Sequence, residues 1–444
     1  RGDGPKVRYR GLFINDEDPA LSGWAEKLFG GVNAGMYEHV FELILRLKGN
    51  YIWPAMWGKA FHVDDPQNTK LADEMGIVVG TSHHEPMTRA HAEWHVSETD
   101  PTIGGAWNYN TNAENLRSFW RGGIERMMSK GGGEAYESLV TVGMRGDGDE
   151  PMAEDTAIEL LETVVADQRK IIEEVTGTPA NETPQVWALY KEVQDYYDKG
   201  MTVPGDVTLL FSDDNWGQVR RLPTRDLDRA GGYGVYYHFD YVGVPRNYKW
   251  TNTIQVGKVW QQMNLAWERG ARELWVVNVG DIKPVEFPLD FFLVMAWNPA
   301  AMTHGEQAMY AERWAAGIFG KSLAKAVGDL MIRYGQYASM RKPELINEET
   351  FSIGEGAGLK LKRGEFHAQV GKWQALEDDM ETVREQITPQ QQAAFFQLVE
   401  YPIASLANLY EMYFATAWNR RLATHHDARA NHFRERVEQA FARD

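Results

Sequence analysis

Cysteine is absent from all 444 residues. The chain therefore builds neither a disulfide nor a thiolate metal centre, an absence that fits any compartment and selects none. No apolar run reaches the roughly 18 residues that a membrane helix needs. The opening segment, Arg1 to Lys6, is charged and Gly/Pro-rich and has no apolar stretch of the kind a secretion signal carries. Basic residues are outnumbered, 46 against 63 acidic ones, for a net charge of −17. Such a surface excludes nucleic acid as a partner, because phosphate binding needs a basic face. A neutral or weakly charged polymer is compatible, whereas an anionic substrate needs a local cationic pocket set against the overall field. The phosphate-binding turn G-x-G-x-x-G follows no strand pattern, which disfavours a doubly wound open sheet. G-x-S-x-G is missing, against an α/β-hydrolase esterase. H-E-x-x-H is missing too, as is an H-x-H pair after the first strand.

Hydrophobic residues make up 43% of the chain, enough for a packed core, with 16 Trp and 19 Tyr among them. Flat rings with a polar edge serve equally as half-buried packing and as platforms for sugar rings. Short apolar runs of the length of buried parallel strands occur at 9–15, 50–55, 77–81, 139–143, 185–190, 207–212, 233–239 and 273–279. Helical spacing fills the intervals, as at 36–47, 116–128, 155–175 and 254–268. Eight strand–helix units in about 300 residues predict a (β/α)₈ TIM barrel over 1–304. From 305 to 444 strand patterns give way to long amphipathic segments, at 307–319, 323–337, 366–386, 390–409 and 429–441. These predict an α-helical bundle, with Pro402 kinking or breaking the fourth segment.

A barrel of this kind carries its chemistry at the C-terminal ends of its strands, and all eight predicted ends are polar. The first runs into Asn15-Asp16-Glu17-Asp18 and the second into Trp53-Pro54-Ala55-Met56-Trp57. The third gives Ser82-His83-His84-Glu85, and the fourth Arg145-Gly146-Asp147-Gly148-Asp149-Glu150. Tyr190-Lys191-Glu192, Ser212-Asp213-Asp214-Asn215-Trp216, His238-Phe239-Asp240 and Asn278-Val279-Gly280-Asp281 complete the set. Single acidic ends also arise from helix capping, but eight together point to a site. Carboxylates with surrounding amides, histidines and aromatics suit glycoside hydrolysis, in which one carboxyl protonates the leaving oxygen and another activates water or attacks the sugar. A metal-dependent barrel hydrolase gathers similar residues. Against it, His83 and His84 point to opposite faces if their strand continues, so no metal ligand and no cofactor is assigned. Lys191 reads as an exposed or salt-bridged lysine rather than a Schiff-base lysine.

Five collinear stretches, 10–18, 50–57, 80–87, 143–150 and 211–217, resemble glycoside hydrolase family 115, which contains xylan α-1,2-glucuronidases. The resemblance implies an inverting, exo-acting enzyme on a barrel with a following helical bundle, releasing glucuronic acid or its 4-O-methyl form from glucuronoxylan or its oligosaccharides. It also implies an α/β domain before the barrel and a β-sandwich after the bundle, so this chain is expected to be a central fragment. Family members work in the periplasm or outside the cell, and a homodimer of the full-length enzyme is the assembly the resemblance allows. Residue by residue, Glu192 matches the general acid, and Asp149 a carboxylate essential for activity and a candidate base. Asp213 and Asp16 or Asp18 match further carboxylates. Arg145, Tyr190, Asn215 and His238 match residues holding the glucuronate, with Trp53 and His83 beside them. Glu192 among aromatics is expected to hold its proton more tightly, and Arg145 offers a bidentate fork for a uronate. Metal-dependent hydrolysis and a non-catalytic, xylan-binding barrel are the alternative readings.

Overall fold

A computed structural model of the chain describes residues 4–15, 18–96, 104–152, 157–241, 251–354 and 364–444. Its strands are β1 (Tyr9–Phe13), β2 (Tyr51–Trp53), β3 (Val78–Val79), β4 (Val140–Thr141), β5 (Gln185–Leu189), β6 (Thr208–Ser212), β7 (Tyr233–His238) and β8 (Ala271–Asn278). Each lies within or against a predicted run. They form one parallel sheet in the order β3-β2-β1-β8-β7-β6-β5-β4. A parallel bridge between Val79 and Ser138 joins the two ends, so the sheet closes into a TIM-like barrel through its shortest strands. Alternation along the strands fills the interior with Tyr9, Phe13, Tyr51, Trp53, Val186, Ala188, Tyr190, Leu210, Tyr236, Leu274 and Val276. One more inward step along β6, β7 and β8 brings Ser212, His238 and Asn278 to the C-terminal mouth, where the lining turns polar.

Helices α1 (Ala20–Phe29) and α2 (Ala34–Arg46) follow β1, and α3 (Gln67–Met75) follows β2. After β3 come α4 (His91–Val96) and α5 (Tyr109–Met127). Next are α6 (Ile158–Thr176) after β4, α7 (Glu192–Asp198) after β5, α8 (Val256–Glu268) before β8 and α9 (Glu286–Trp297) after it. The buried stripe of α2, Met36, Tyr37, Val40, Phe41 and Ile44, shows how the 3.6-residue period covers the sheet. One unit departs from expectation: residues 213–232, between β6 and β7, contain no helix. Pro223 and the left-handed residues Asn215, Gly217, Asp226 and Gly232 interrupt any helical period there.

The chain divides into two compact units, Arg1–Tyr241 with Trp260–Lys283 and Leu289–Ala301, and Val242–Val259 with Pro284–Pro288 and Met302–Asp444. The second unit thus takes in two short segments from the barrel's stretch of sequence. Within it, Tyr334 Oη donates to the Asn252 carbonyl (2.5 Å), and the Phe287 and Tyr310 rings meet at 6.1 Å. Its described residues after Ala301 include many helices and no strand. The longer helices are α10 (Tyr310–Phe319), α11 (Ala324–Met340), α12 (Glu365–Arg384), α13 (Tyr401–Thr424) and α14 (Arg429–Arg443). Trp373 at the centre meets Tyr334, Tyr337 and Tyr410 at 5.3–6.1 Å. Backbone angles stay helical up to Pro402, which stands in the first turn of α13, directly after a single π turn at Phe396–Glu400 that interrupts the predicted fourth segment.

Candidate active site

At the C-terminal mouth of the barrel, Arg145 lies almost wholly buried between two carboxylates. Its Nε and Nη2 donate to Glu192 Oε1 and Oε2, at 2.9 and 2.8 Å. Its Nη1 donates to Asp149 Oδ1 and to the Asp149 carbonyl. All three guanidinium nitrogens are therefore committed inside the protein, and the side chain is 1% exposed. The free fork expected for a substrate uronate is not available, because Glu192 already fills it. Glu192 is correspondingly not in purely apolar surroundings, although the Tyr190 ring lies 5.5 Å from the guanidinium carbon.

Local folding explains these placements. β4 contributes only two residues to the ladder, so the chain beyond it needs other partners. Gln168, from the buried face of α6, supplies them: Gly143 N donates to its Oε1 (2.8 Å) and its Nε2 donates to the Gly143 carbonyl (2.9 Å). Gly143 has φ 97°, and a Cβ there would meet the Trp187 ring at 2.4 Å, so glycine is required. Trp107 Nε1 then holds the Arg145 carbonyl (2.9 Å). Asp149, Lys191 and Asn215 all have left-handed φ, 66°, 48° and 67°, a cluster of backbone strain of the kind that functional sites carry. The turn at Lys191 makes Glu192 the first residue of α7.

The other predicted residues sort into three groups. His83 and Tyr190 join the carboxylates: His83 Nε2 lies 2.9 Å from Asp149 Oδ1, and its ring centroid is 4.3 Å from that of Tyr190. Burial, reinforced by Arg145, His238 and Lys191, holds the His83 pKa well below the usual imidazole value, and burial raises that of Tyr190. Asp213, His238 and Asn215 form a second cluster. Asp213 Oδ1 accepts from His238 Nδ1 (2.6 Å) and the Asn215 N–H (3.0 Å), and its Oδ2 accepts from the His238 N–H (3.0 Å). The Asp213 side chain is 0% exposed, so the expected catalytic carboxylate is sealed off and instead fixes the His238 ring. Two residues stand apart. Trp53 is fully buried in the interior, its Nε1 donating to Tyr51 Oη (2.6 Å), so it offers no face to a sugar; the exposed ring of that strand end is Trp57. Asp18 is exposed and joins none of these residues among those described, while Asp16 falls outside the described residues.

Sequence reasoning missed Gln168 and Trp107, and it names Trp57 at its strand end without giving it a role. Gln168 carries a signal, since it is the one polar residue on a buried stripe that otherwise reads Leu161, Val164, Val165, Ile171 and Ile172. The alternation argument about His83 and His84 also fails, for a physical reason. β3 ends at Val79, and both rings approach the same Asp149 Oδ1, at 2.9 and 3.7 Å. A cation at that point is opposed by Arg145, which donates to that oxygen, and by Lys191 Nζ, 3.7 Å from Oδ2.

The family model described as glycosyl hydrolase family 115 matches residues 2–345. Among solved structures, a family 115 4-O-methyl-α-glucuronidase with specificity for decorated arabinogalactans is 31% identical with a TM-score of 0.84. The match covers 99% of this chain and 58% of that one, so this chain spans little more than half the length of that enzyme. A family 89 enzyme from Clostridium perfringens, solved with GlcNAc-α-1,4-galactose, shares the fold alone. It has a TM-score of 0.56 at 10% identity, covering 98% of this chain and 53% of its own. No curated protein sequence matches the chain.

Proposed function

The chain belongs to glycosyl hydrolase family 115, and from that premise we propose an inverting, exo-acting α-1,2-glucuronidase that releases (4-O-methyl)glucuronic acid from glucuronoxylan. The observation that carries the reading is the Arg145 guanidinium held between Glu192 and Asp149. A guanidinium bridging the two carboxylates holds them apart rather than in contact, an arrangement closer to the wide pair of an inverting enzyme than to the close pair of a retaining one.

In this mechanism Glu192 keeps one Arg145 hydrogen bond, turns its other oxygen to the substrate and gives a proton to the departing xylose O2. Asp149 takes a proton from a water that attacks the anomeric carbon from the opposite face. The C1–O2 bond breaks as the new C1–O bond forms, and the product emerges with inverted configuration. Arg145 positions both carboxylates rather than the substrate. The cation that meets the uronate is Lys191, whose side chain is 41% exposed beside Asp149. His83 orients Asp149, His238 presents its ring beside Tyr190 (centroids 6.0 Å apart), and Trp57 stacks on the xylan backbone.

The similar enzyme's specificity for decorated arabinogalactans favours those polymers as a second substrate, since the glucuronate cap is common to both. The proposed setting is periplasmic or extracellular, with a homodimer of the longer enzyme as its assembly. No described helix is long and apolar enough to cross a membrane.

Glu192→Gln keeps the shape of the pocket and removes the donated proton. Release of uronic acid from either polymer should fall at least about a thousandfold, and an aryl glucuronide with an acidic leaving group should suffer far less. Equal losses on both substrates would take the acid role from Glu192. NMR of the first product formed should show the β-anomer; the α-anomer would establish retention and overturn the mechanism.

A further inference from the structure

Outside these carboxylates, a second group of ligand-type atoms converges. His91 and His95 stand one turn apart on α4, at i and i+4, so their rings share a face. Asp147, from the loop after β4, meets both. Its Oδ1 lies 2.7 Å from His91 Nε2 and 3.0 Å from His95 Nε2, and the two nitrogens are 3.1 Å apart. Each ring nitrogen can donate its own proton or offer a lone pair, the Gly148 N–H standing 3.4 Å from that of His91, and with both rings in the lone-pair form the three atoms present one set of ligands to a cation.

The triangle fits an ion. A metal about 2.1 Å from each atom, the ordinary metal–imidazole distance, stands roughly 1.2 Å off their plane and subtends angles of about 80–95°. Those are the angles of one face of an octahedron. His95 and Asp147 are about half exposed, so the remaining coordination positions face solvent. Among the described residues no Lys or Arg pairs with Asp147, in contrast to Asp149 with Arg145 and Lys191. The acidic residue between the two histidines is not a ligand, because Glu93 is taken by Arg89 and Arg126. His91 is held in place by packing. Its N–H donates to Glu85 Oε1 (2.8 Å), and its ring sits edge-on to Trp107 at 4.8 Å.

We infer that His91, His95 and Asp147 bind one divalent first-row transition ion through a face of two imidazoles and one carboxylate. The ion ties α4 to the loop after β4, two residues from Asp149. The site is independent of the proposed reaction, since none of its atoms belongs to Glu192 or Asp149 and no step passes through it.

The test uses the purified chain, freed of metal by a chelator and then dialysed. Zn²⁺ and Co²⁺ are titrated in by calorimetry, and thermal unfolding is followed at each metal concentration. One equivalent should bind, and the unfolding midpoint should rise with free metal, as a native-state ligand requires. His95→Ala and Asp147→Asn, both at half-exposed positions that the fold does not depend on, should each weaken binding at least about a hundredfold. Their melting curves without metal should match the parent. The site is refuted if the parent binds no metal, if both variants bind as the parent does, or if His83→Gln alone abolishes binding. That last result would place the ion at His83, His84 and Asp149.

Discussion

His84 lies 1% exposed, with Nδ1 3.7 Å from Asp149 Oδ1 and Nε2 buried without a hydrogen-bond partner among the described residues. Burial, together with His83, His91, Arg145 and Lys191, holds its pKa well below the usual imidazole value. His83 is lowered in the same direction, by burial and then by Arg145, His238 and Lys191, with Glu192 opposing. The sign follows from proton counting. An unfolded chain protonates these rings near 6.5 while the folded one keeps them neutral, so below that pH the unfolded state binds more protons. The stability these neutral rings contribute is fully present above about pH 6.5 and is lost as pH falls below it. Each such histidine removes up to about 1.4 kcal/mol per pH unit. Denaturant unfolding between pH 7 and pH 5 should therefore show a falling free energy, with a shallower slope in His84→Gln. A variant slope as steep as the parent's would mean that the ring is not held neutral.

At the scale of elements, the loop after β4 owes its position to a helix side chain rather than to the sheet. Gln168 takes both backbone groups of Gly143, two residues before Arg145. Gln168→Leu is close in volume but leaves a buried N–H and a buried carbonyl unpaired, each costing about 1–3 kcal/mol. It should destabilise the chain by about 2–4 kcal/mol in denaturant titration and lower kcat, because Arg145 loses its register against Glu192. A variant as stable as the parent would show that water replaces the clamp. This clamp also marks where the sequence stops being legible. The strands could be read because most are short apolar runs buried on both faces, β8 alone opening on an exposed Arg272 and a half-buried Glu273, and their polar ends followed from barrel chemistry. Side-chain partners at the mouth could not be read. Trp53 and Trp57 look alike in sequence, and what separates them is where β2 ends: Trp53 is its last residue and buried, while Trp57 stands on the turn beyond it and is exposed. Asp213 and Asp149 are both aspartates after strands, yet one is sealed under His238 and the other opens to the mouth. The Arg145 fork is taken by Glu192, and spacing along the sequence does not say that Glu192 reaches it.

For the molecule as a whole, the relevant quantity is the net charge of −17 set against a proposed substrate that is itself anionic. Polymer and protein repel at long range, and only the exposed Lys191 and its neighbours attract at short range. The two effects have different reach. At about 10 mM salt the screening length is roughly 30 Å, so an incoming uronate feels the whole acidic surface; at about 150 mM it is roughly 8 Å, and only the mouth of the barrel counts. Added salt should therefore speed encounter, while the proposed chemical step, among Arg145, Glu192 and Asp149, is screened much less. For a singly decorated glucuronoxylo-oligosaccharide, kcat/KM should rise about two- to fivefold from 10 to 150 mM NaCl, with kcat nearly constant. A fall in kcat/KM over that range would mean that the cations at the mouth outweigh the rest of the surface even at long range. A change confined to kcat would locate the salt effect in the carboxylate pair itself, where Arg145 carries the charge that both Glu192 and Asp149 depend on.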